Sequence, residues 1–451
     1  MATTSQAGTR YPALRHRNFT LIWSGLLISN MGTWMQNVAQ SWLIYKLTGN
    51  NPIYLGFLGL SFAIPMIVAP PIGGATADRV DRIKLLYITQ TSSALLAALL
   101  AVLTWTGAIR PAYILLTSFA GALLLAFDNP TRQALIPELV PRQDLLNALS
   151  LNSATYTGAA LVGPALAGLL LDLVGAGWLF MFNAISYIAV LAALRFMRDL
   201  PSNKRPRTSI QDALFGGFVY AWQHRTILFL LVLSALAALF GRSYQQLLPV
   251  FADAVWRTGA GGYGTLLSAG GAGALIGAFA MSSMSNIQNQ GRVLVVSGVI
   301  FCVVLAAFAL SPWFWVGVAL LVAVGISSTV FTTMIATIIQ LRVPSELRGR
   351  VISLYAITLI GLPSLGALGV ARVAQDLGAP HSGWSAGIIS LLDLLGITRL
   401  TAELGGGAGA PRAIVVGALA LVIVLVLTAP KFFPLRAATE APTQSPASSG
   451  S

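Results

Sequence analysis

Twelve apolar stretches divide this chain, each about the length a helix needs to cross a bilayer. They fall at 19–45, 55–77, 85–107, 112–128, 146–172, 178–197, 226–250, 263–284, 293–311, 314–340, 351–373 and 412–428. A spanning helix takes about 20 apolar residues, and hydrocarbon leaves the backbone few alternatives to a helix. Of 451 residues, 56% are hydrophobic and 9% charged, against about 25% charged in soluble domains. Mean hydropathy is +0.77. These features predict an all-α polytopic membrane protein of twelve transmembrane helices. Residues 1–17 are polar and basic and run straight into a full span, which argues against a cleaved signal. Cys302 lies alone in an apolar run, where a small core residue is expected and neither disulfide nor metal site is.

An even number of spans puts both termini on one side. Lys and Arg divide 20 to 6 between the two sets of connecting segments, with Arg242 inside a span. The rich side should be cytoplasmic, so the net charge of +13 reflects topology rather than nucleic-acid binding. The chain also repeats. An offset of 203 maps Gly74 to Gly277, Val140–Pro141 to Val343–Pro344, Ser150–Leu151 to Ser353–Leu354, Gly158 to Gly361 and Gly163 to Gly366. A duplicated six-helix unit is expected, its copies parallel because six is even. The expected organisation is a cytoplasmic tail at 1–18, bundles at 19–197 and 226–430, a linker at 198–225 and a disordered cytoplasmic tail at 431–451. In the linker, Ser209 and Asp212 suggest a capping box. Ile210, Leu214, Phe218 and Trp222 form one stripe, predicting a short amphipathic helix on the cytoplasmic face, or else the first turns of span seven. Residues 376–411 form an outer loop insertion whose greasy patch at 388–395 is too short to span.

Residues 73–84, GGATADRVDRIK, crowd three basic and two acidic residues between two spans. They resemble the loop signature of the major facilitator superfamily, G-x-x-x-D-R-x-G-R-[KR]. Gly74, Asp78, Arg79 and Arg82 match; Lys84 stands one place late, and Asp81 replaces a glycine. The resemblance implies a cytoplasmic latch between two bundles, with VPSELRGR at 343–350 as its partner site. The alternative is that these charges only fix topology. Residues 125–168, LAFDNPTRQALIPELVPRQDLLNALSLNSATYTGAALVGPALAG, resemble the branch that contains the enterobactin exporter and macrolide efflux pumps. GRSYQQLLPVFAD and VPSELRGRVISLY extend that resemblance. Gly158, Gly163, Pro164 and Gly168 approximate the superfamily's antiporter motif, with Gly158 one place early and Ala167 in place of a glycine. Small residues permit close helix approach and Pro164 permits a kink, so ordinary packing explains part of the pattern too.

The resemblance implies alternating access by two rocking bundles around a midplane site, and export of a small hydrophobic or amphipathic molecule, a drug or a siderophore. The setting it implies is the bacterial inner membrane, with the lipid bilayer, the substrate and protons as partners. Span one offers a polar stripe of Asn30, Thr33, Trp34, Asn37, Gln40 and Ser41, and span seven offers Arg242, Tyr244, Gln245 and Gln246. Polar groups at this depth normally face the bundle interior. For Arg242 three readings stand: an anionic substrate group, a gating pair with Asp253, or a side chain snorkelling to the outer interface. The 14 acidic residues all fall in loops, tails or near span ends. Proton antiport therefore lacks an obvious carrier, and Asp128 and Asp172 are the nearest candidates. No nucleotide-binding Gly-x-x-x-x-Gly-Lys pattern, metal cluster or nucleophile–base arrangement occurs, so no enzyme activity, cofactor, metal, ATP or nucleic acid is expected. An importer on the same fold, or a non-transporting sensor or assembly protein, are the rival readings.

Overall fold

The computed structural model describes residues 11–198, 218–283, 289–378, 401 and 409–432. Most of the linker, the heart of the 376–411 insertion and the C-terminal tail lie outside the described residues. Every regular element among the described residues is a helix. The first bundle comprises α1 (Arg17–Leu47), α2 (Ile53–Val68), α3 (Pro70–Arg79), α4 (Arg82–Trp105), α5 (Pro111–Leu135), α6 (Leu145–Val174) and α7 (Ala176–Phe196). The second comprises α8 (Arg225–Leu236), α9 (Tyr244–Val250), α10 (Gly259–Ser283), α11 (Gln290–Ala309), α12 (Phe314–Arg342), α13 (Ser345–Ile360), α14 (Leu362–Gly378) and α15 (Gly409–Phe432). Among the described residues, ten helical segments are long and apolar enough to cross a membrane. The other two expected spans are α1, long but diluted by its polar stripe, and the α2–α3 pair.

Three expected spans are interrupted, each for a local reason. Pro70 and Pro71 withdraw two N–H donors, so the second span breaks at Ala69 into α2 and α3. The seventh carries π turns at Ala237–Gly241 and Phe251–Val255 on either side of α9. The eleventh breaks at Gly361, just before Pro363. Helix starts follow the side chains: Asp81 caps α4 by accepting from the N–H groups of Ile83 (2.9 Å) and Lys84 (3.1 Å). The chain also joins the bundle earlier than its apolar pattern predicts. A 3-10 turn at Pro12–Arg15 buries Ala13, whose N–H donates to Asn147 Oδ1 at 3.2 Å, and His16 Nε2 lies 2.8 Å from Asp144. In the linker, residues 218–223 are helical, with Phe218 and Trp222 stacked and exposed.

Within the first bundle α1 packs on α6 and α7, α4 on α5 and α7, and α2 on α5; in the second α10 and α11 pack on α12, and α14 on α15. Glycines set these distances. Gly163 seats the Trp34 side chain of α1, and its repeat partner Gly366 seats the backbone of Leu239. The repeat slips by one residue elsewhere. Gly277 packs on Ile326, but Gly74 faces open space while neighbouring Gly73 carries the contact to Ala126.

The two bundles meet only over part of their length. α6 crosses α10 through Gly168 and Gly264, and Ser268 Oγ donates to the Leu161 carbonyl at 2.8 Å. α2 crosses α14 at Gly56 against Leu368 and Gly59 against Ser364. All these contacts lie in the helix halves remote from the α3–α4 connection. On the side of that connection, here the basic face, the principal packing partners of α3 stay in its own bundle. Leu146 and Tyr156 of α6 are 78% and 60% exposed. Among the described residues, the contacts between bundles therefore close the interface towards the far face and thin out towards the basic face. A test follows from the glycine geometry. A side chain at Gly273 would run into the Val322 carbonyl, whereas one at Gly74 meets nothing within 4 Å. Gly273→Leu should lower the thermal midpoint of the detergent-purified protein, at a cost of ~1–3 kcal/mol or more; Gly74→Ala should leave it close to wild type.

Candidate functional site

At the far face the seal is polar and aromatic. Lys46 Nζ, near the end of α1, lies 2.5 Å from Asp253 Oδ1 in the π turn after α9. The same ammonium sits 5.1 Å from the Trp42 ring centroid, and Trp42 stacks on Tyr263 of α10 at 6.2 Å and 17°. Asp172, near the end of α6, accepts from the Gly261 N–H at 2.9 Å. Gly261 lies in the first turn of α10, where backbone N–H groups lack helical partners and the helix dipole favours a carboxylate. Asp172 thus caps a helix of the opposite bundle. Asp253 is the partner of Lys46, not of Arg242. Eleven residues separate Arg242 from Asp253, about 16 Å of helical rise, too far for a gating pair.

At mid-depth the stripe on α1 divides. Asn37 is exposed, Asn30, Thr33, Trp34 and Ser41 are half-buried, and Gln40 is buried with no hydrogen-bond partner for its Nε2 among the described residues. Thr33 is satisfied by the Ser29 carbonyl at 2.9 Å. The Trp34 ring lies 6.3 Å from Tyr156, which the sequence reading did not single out. Gln36 accepts from Asn183 Nδ2 at 2.8 Å, a tie between α1 and α7 that was also missed. The opposite face of α1 borders a separate apolar groove of about 350 Å³, lined by Leu27, Ile28, Met31 and Phe182 among others. From the second bundle, Gln245 is exposed and Arg242 half-buried, while Tyr244 is only 4% exposed and packs on Phe308 at 6.2 Å. Tyr244 therefore belongs to the bundle core rather than to the cavity lining. α12 adds the half-buried Ser328 and Thr332, unnoticed in sequence because hydroxyls that bond their own helix read as neutral.

Towards the basic face lies a buried ionic node. Asp128, 3% exposed, accepts from Thr89 Oγ1 at 2.8 Å and Gln90 Nε2 at 2.7 Å, and pairs with Arg132 one turn on. Arg82 is 4% exposed and pairs with Glu138 at 2.5 Å. It ties α4 to the end of α5 rather than standing in the loop. Arg79 and Lys84 are exposed, and Asp78 lies in α3, with its side chain outside the described set. Of the antiporter-like motif, Gly163 packs inside its own bundle and Gly168 between bundles. Pro164 is buried, and Gly158 touches nothing within 4 Å. Among the described residues no group of His, Cys, Asp and Glu gathers as a metal-ligand set.

Two six-helix bundles sealed at one end and parted at the other define a membrane transporter of the major facilitator type. A family profile of transmembrane secretion effectors matches residues 8–404, and the chain belongs to that family of the major facilitator superfamily. It is 30% identical over 231 residues to the staphyloferrin A transporter of Staphylococcus aureus, a match covering 50% of this chain and 57% of that one. It is 26% identical over 353 residues to the enterobactin exporter EntS of Shigella boydii, covering 76% and 84%. Among solved structures, a bacterial homologue of the lysosomal transporter Spinster, inward-facing and unoccupied, superposes with a TM-score of 0.71 at 17% identity over 96% of this chain and 100% of that one. A bacterial ferroportin homologue, inward-facing, gives 0.66 at 16% identity over 92% and 98%.

The Asp128 node carries its own prediction. Its carboxylate already holds two hydrogen bonds and an arginine, so Asp128→Asn should strand Arg132 and cost ~3–5 kcal/mol. Thermal unfolding should show that loss. A variant that unfolds like wild type yet loses only pH-driven transport would instead mark Asp128 as a proton carrier.

Proposed function

We propose that this protein is a secondary active exporter of a small amphipathic molecule, working by alternating access in the bacterial inner membrane. The observation that carries this reading is the asymmetry of the bundle interface, sealed at the far face and open at the basic face. With the lysine- and arginine-rich side in the cytoplasm, both termini are cytoplasmic and the cavity is open inward, ready to load from the cell. The two relatives named for staphyloferrin A and enterobactin favour a siderophore-like cargo over nutrient uptake. Proton antiport is the coupling that fits an exporter with no nucleotide-binding pattern in its sequence.

In this reading the seal of Asp172, Lys46 and Asp253 must open outward while the basic face closes. Gly74, Asp78 and Arg79 then approach the 343–350 segment, and Asp78→Asn should lower transport without preventing insertion. The far-face seal gives the direct test. The Asp172→Cys/Gly261→Cys pair places two thiols across the interface, where the Asp172 carboxylate now lies 3.2 Å from the position a Cβ on residue 261 would take. Oxidation should cross-link it and stop uptake of enterobactin into everted vesicles, where the cytoplasmic face is outermost; reduction should restore the uptake. Undiminished uptake by the fully cross-linked protein would rule out alternating access through this seal. Substrate uptake by intact cells, rather than efflux, would instead establish the importer.

A further inference from the structure

We infer that Arg242 is the counter-ion for an anionic group of the transported molecule, so the substrate class is an amphipathic organic anion; this rests on the transporter reading above. Arg242 follows the π turn at Ala237–Gly241, midway along the seventh span. It is seventeen residues from the start of α8, about 25 Å of rise, and about 16 Å short of Asp253 at the far end. Neither interface is within a side chain's reach, which removes snorkelling as its means of solvation. Among the described residues, the other charges of the spans sit towards one face or the other, and the ion pairs found there join Asp128 to Arg132, Arg82 to Glu138 and Lys46 to Asp253. Among the described residues, no carboxylate lies within ion-pair distance of Arg242.

A charge at this depth costs several kcal/mol unless it is paired or faces a water-filled cavity. Arg242 is half-buried, one turn from the exposed Gln245 and just before α9, which packs on α1 and α2 of the first bundle. The Tyr355 hydroxyl donates to the Thr332 carbonyl at 2.6 Å, which leaves it no proton for an anion. The guanidinium thus keeps a planar set of N–H donors suited to a carboxylate or a similar oxyanion. Across the cleft, the exposed Tyr156 ring beside Trp34 supplies an apolar wall for the rest of the molecule.

The test uses fluorescein and pyronin Y, xanthene dyes of opposite charge at neutral pH. Fluorescence anisotropy with the purified full-length protein reads binding without requiring transport. Wild type should bind fluorescein ~10-fold more tightly, equivalent to ~1.4 kcal/mol. Arg242→Gln should erase that preference while leaving pyronin Y binding as it was, and Arg242→Lys should restore most of it. Equal binding of the two dyes by wild type, which involves no variant and so no risk of misfolding, would overturn the assignment. So would a preference that survives in a folded Arg242→Gln protein. Selective binding of fluorescein with no movement across vesicle membranes would leave this site standing and overturn the transporter reading.

Discussion

Hydrocarbon offers no hydrogen bonds, and that constraint organises the whole molecule. Every backbone group must be paired within a helix, and helices cannot be driven together by hiding oil from oil, so they associate through close packing. The glycine contacts follow from this. Gly163 on Trp34, Gly273 on Val322 and Gly264 on Pro164 each let two helices approach where a methyl group would collide. Exceptions to regular helix collect where protein rather than lipid can tolerate them. The breaks at Ala69 and Gly361 flank the α2–α14 crossing, and the π turns flank α9 at the bundle interface. The bundles are close-packed within, and the joint between them combines the same glycine packing, Gly168 on Gly264 and Gly56 on Leu368, with a few polar ties.

The same constraint decides what the sequence could reveal. Crossing segments are legible because apolarity and length are local properties, and Pro70–Pro71 announces a break in the second span to anyone who weighs two missing donors. The 203-residue offset locates Gly163 and Gly366 at matched contacts, yet mistakes Gly74 for Gly73 because identity in a glycine-rich pair does not fix which one faces the neighbour. Long-range pairings are a different matter. Lys46 and Asp253 stand 207 positions apart, and nothing in either segment names the other. Arg82 reads as a loop charge by spacing but is drawn inward by Glu138, which the apolar run of the fourth span gave no reason to look for. Tyr244 shows the converse error: a polar end does not make a side chain line a cavity when its ring has Phe308 to pack against.

Charge is accordingly layered by depth, and each layer has its own stability. The node of Asp128, Arg132, Thr89 and Gln90 lies inside one bundle, where no rocking motion need disturb it; breaking it would strand a buried ion. The far-face seal lies between bundles and is built from weaker parts. Lys46 and Asp253 form a partly exposed pair, a type worth ~0–1 kcal/mol. A carboxylate at a helix N-terminus, as Asp172 is to α10, contributes ~0.3–1 kcal/mol. A seal of this strength holds one state in preference to another without locking it.

That balance bears on how such a machine is driven. A ligand shifts a two-state equilibrium only by the difference in its affinity for the two states, and full reversal of a 1:99 ratio takes about 5.5 kcal/mol. Strong ties at the far face would raise that demand beyond what a small molecule can meet. The few weak ties seen here keep it within the reach of one buried ion pair formed with the cargo. Asp172 and Asp253 sit at span ends and each ties one bundle to the other, so the exchange between the two states makes and breaks these weak ties rather than the buried node within one bundle.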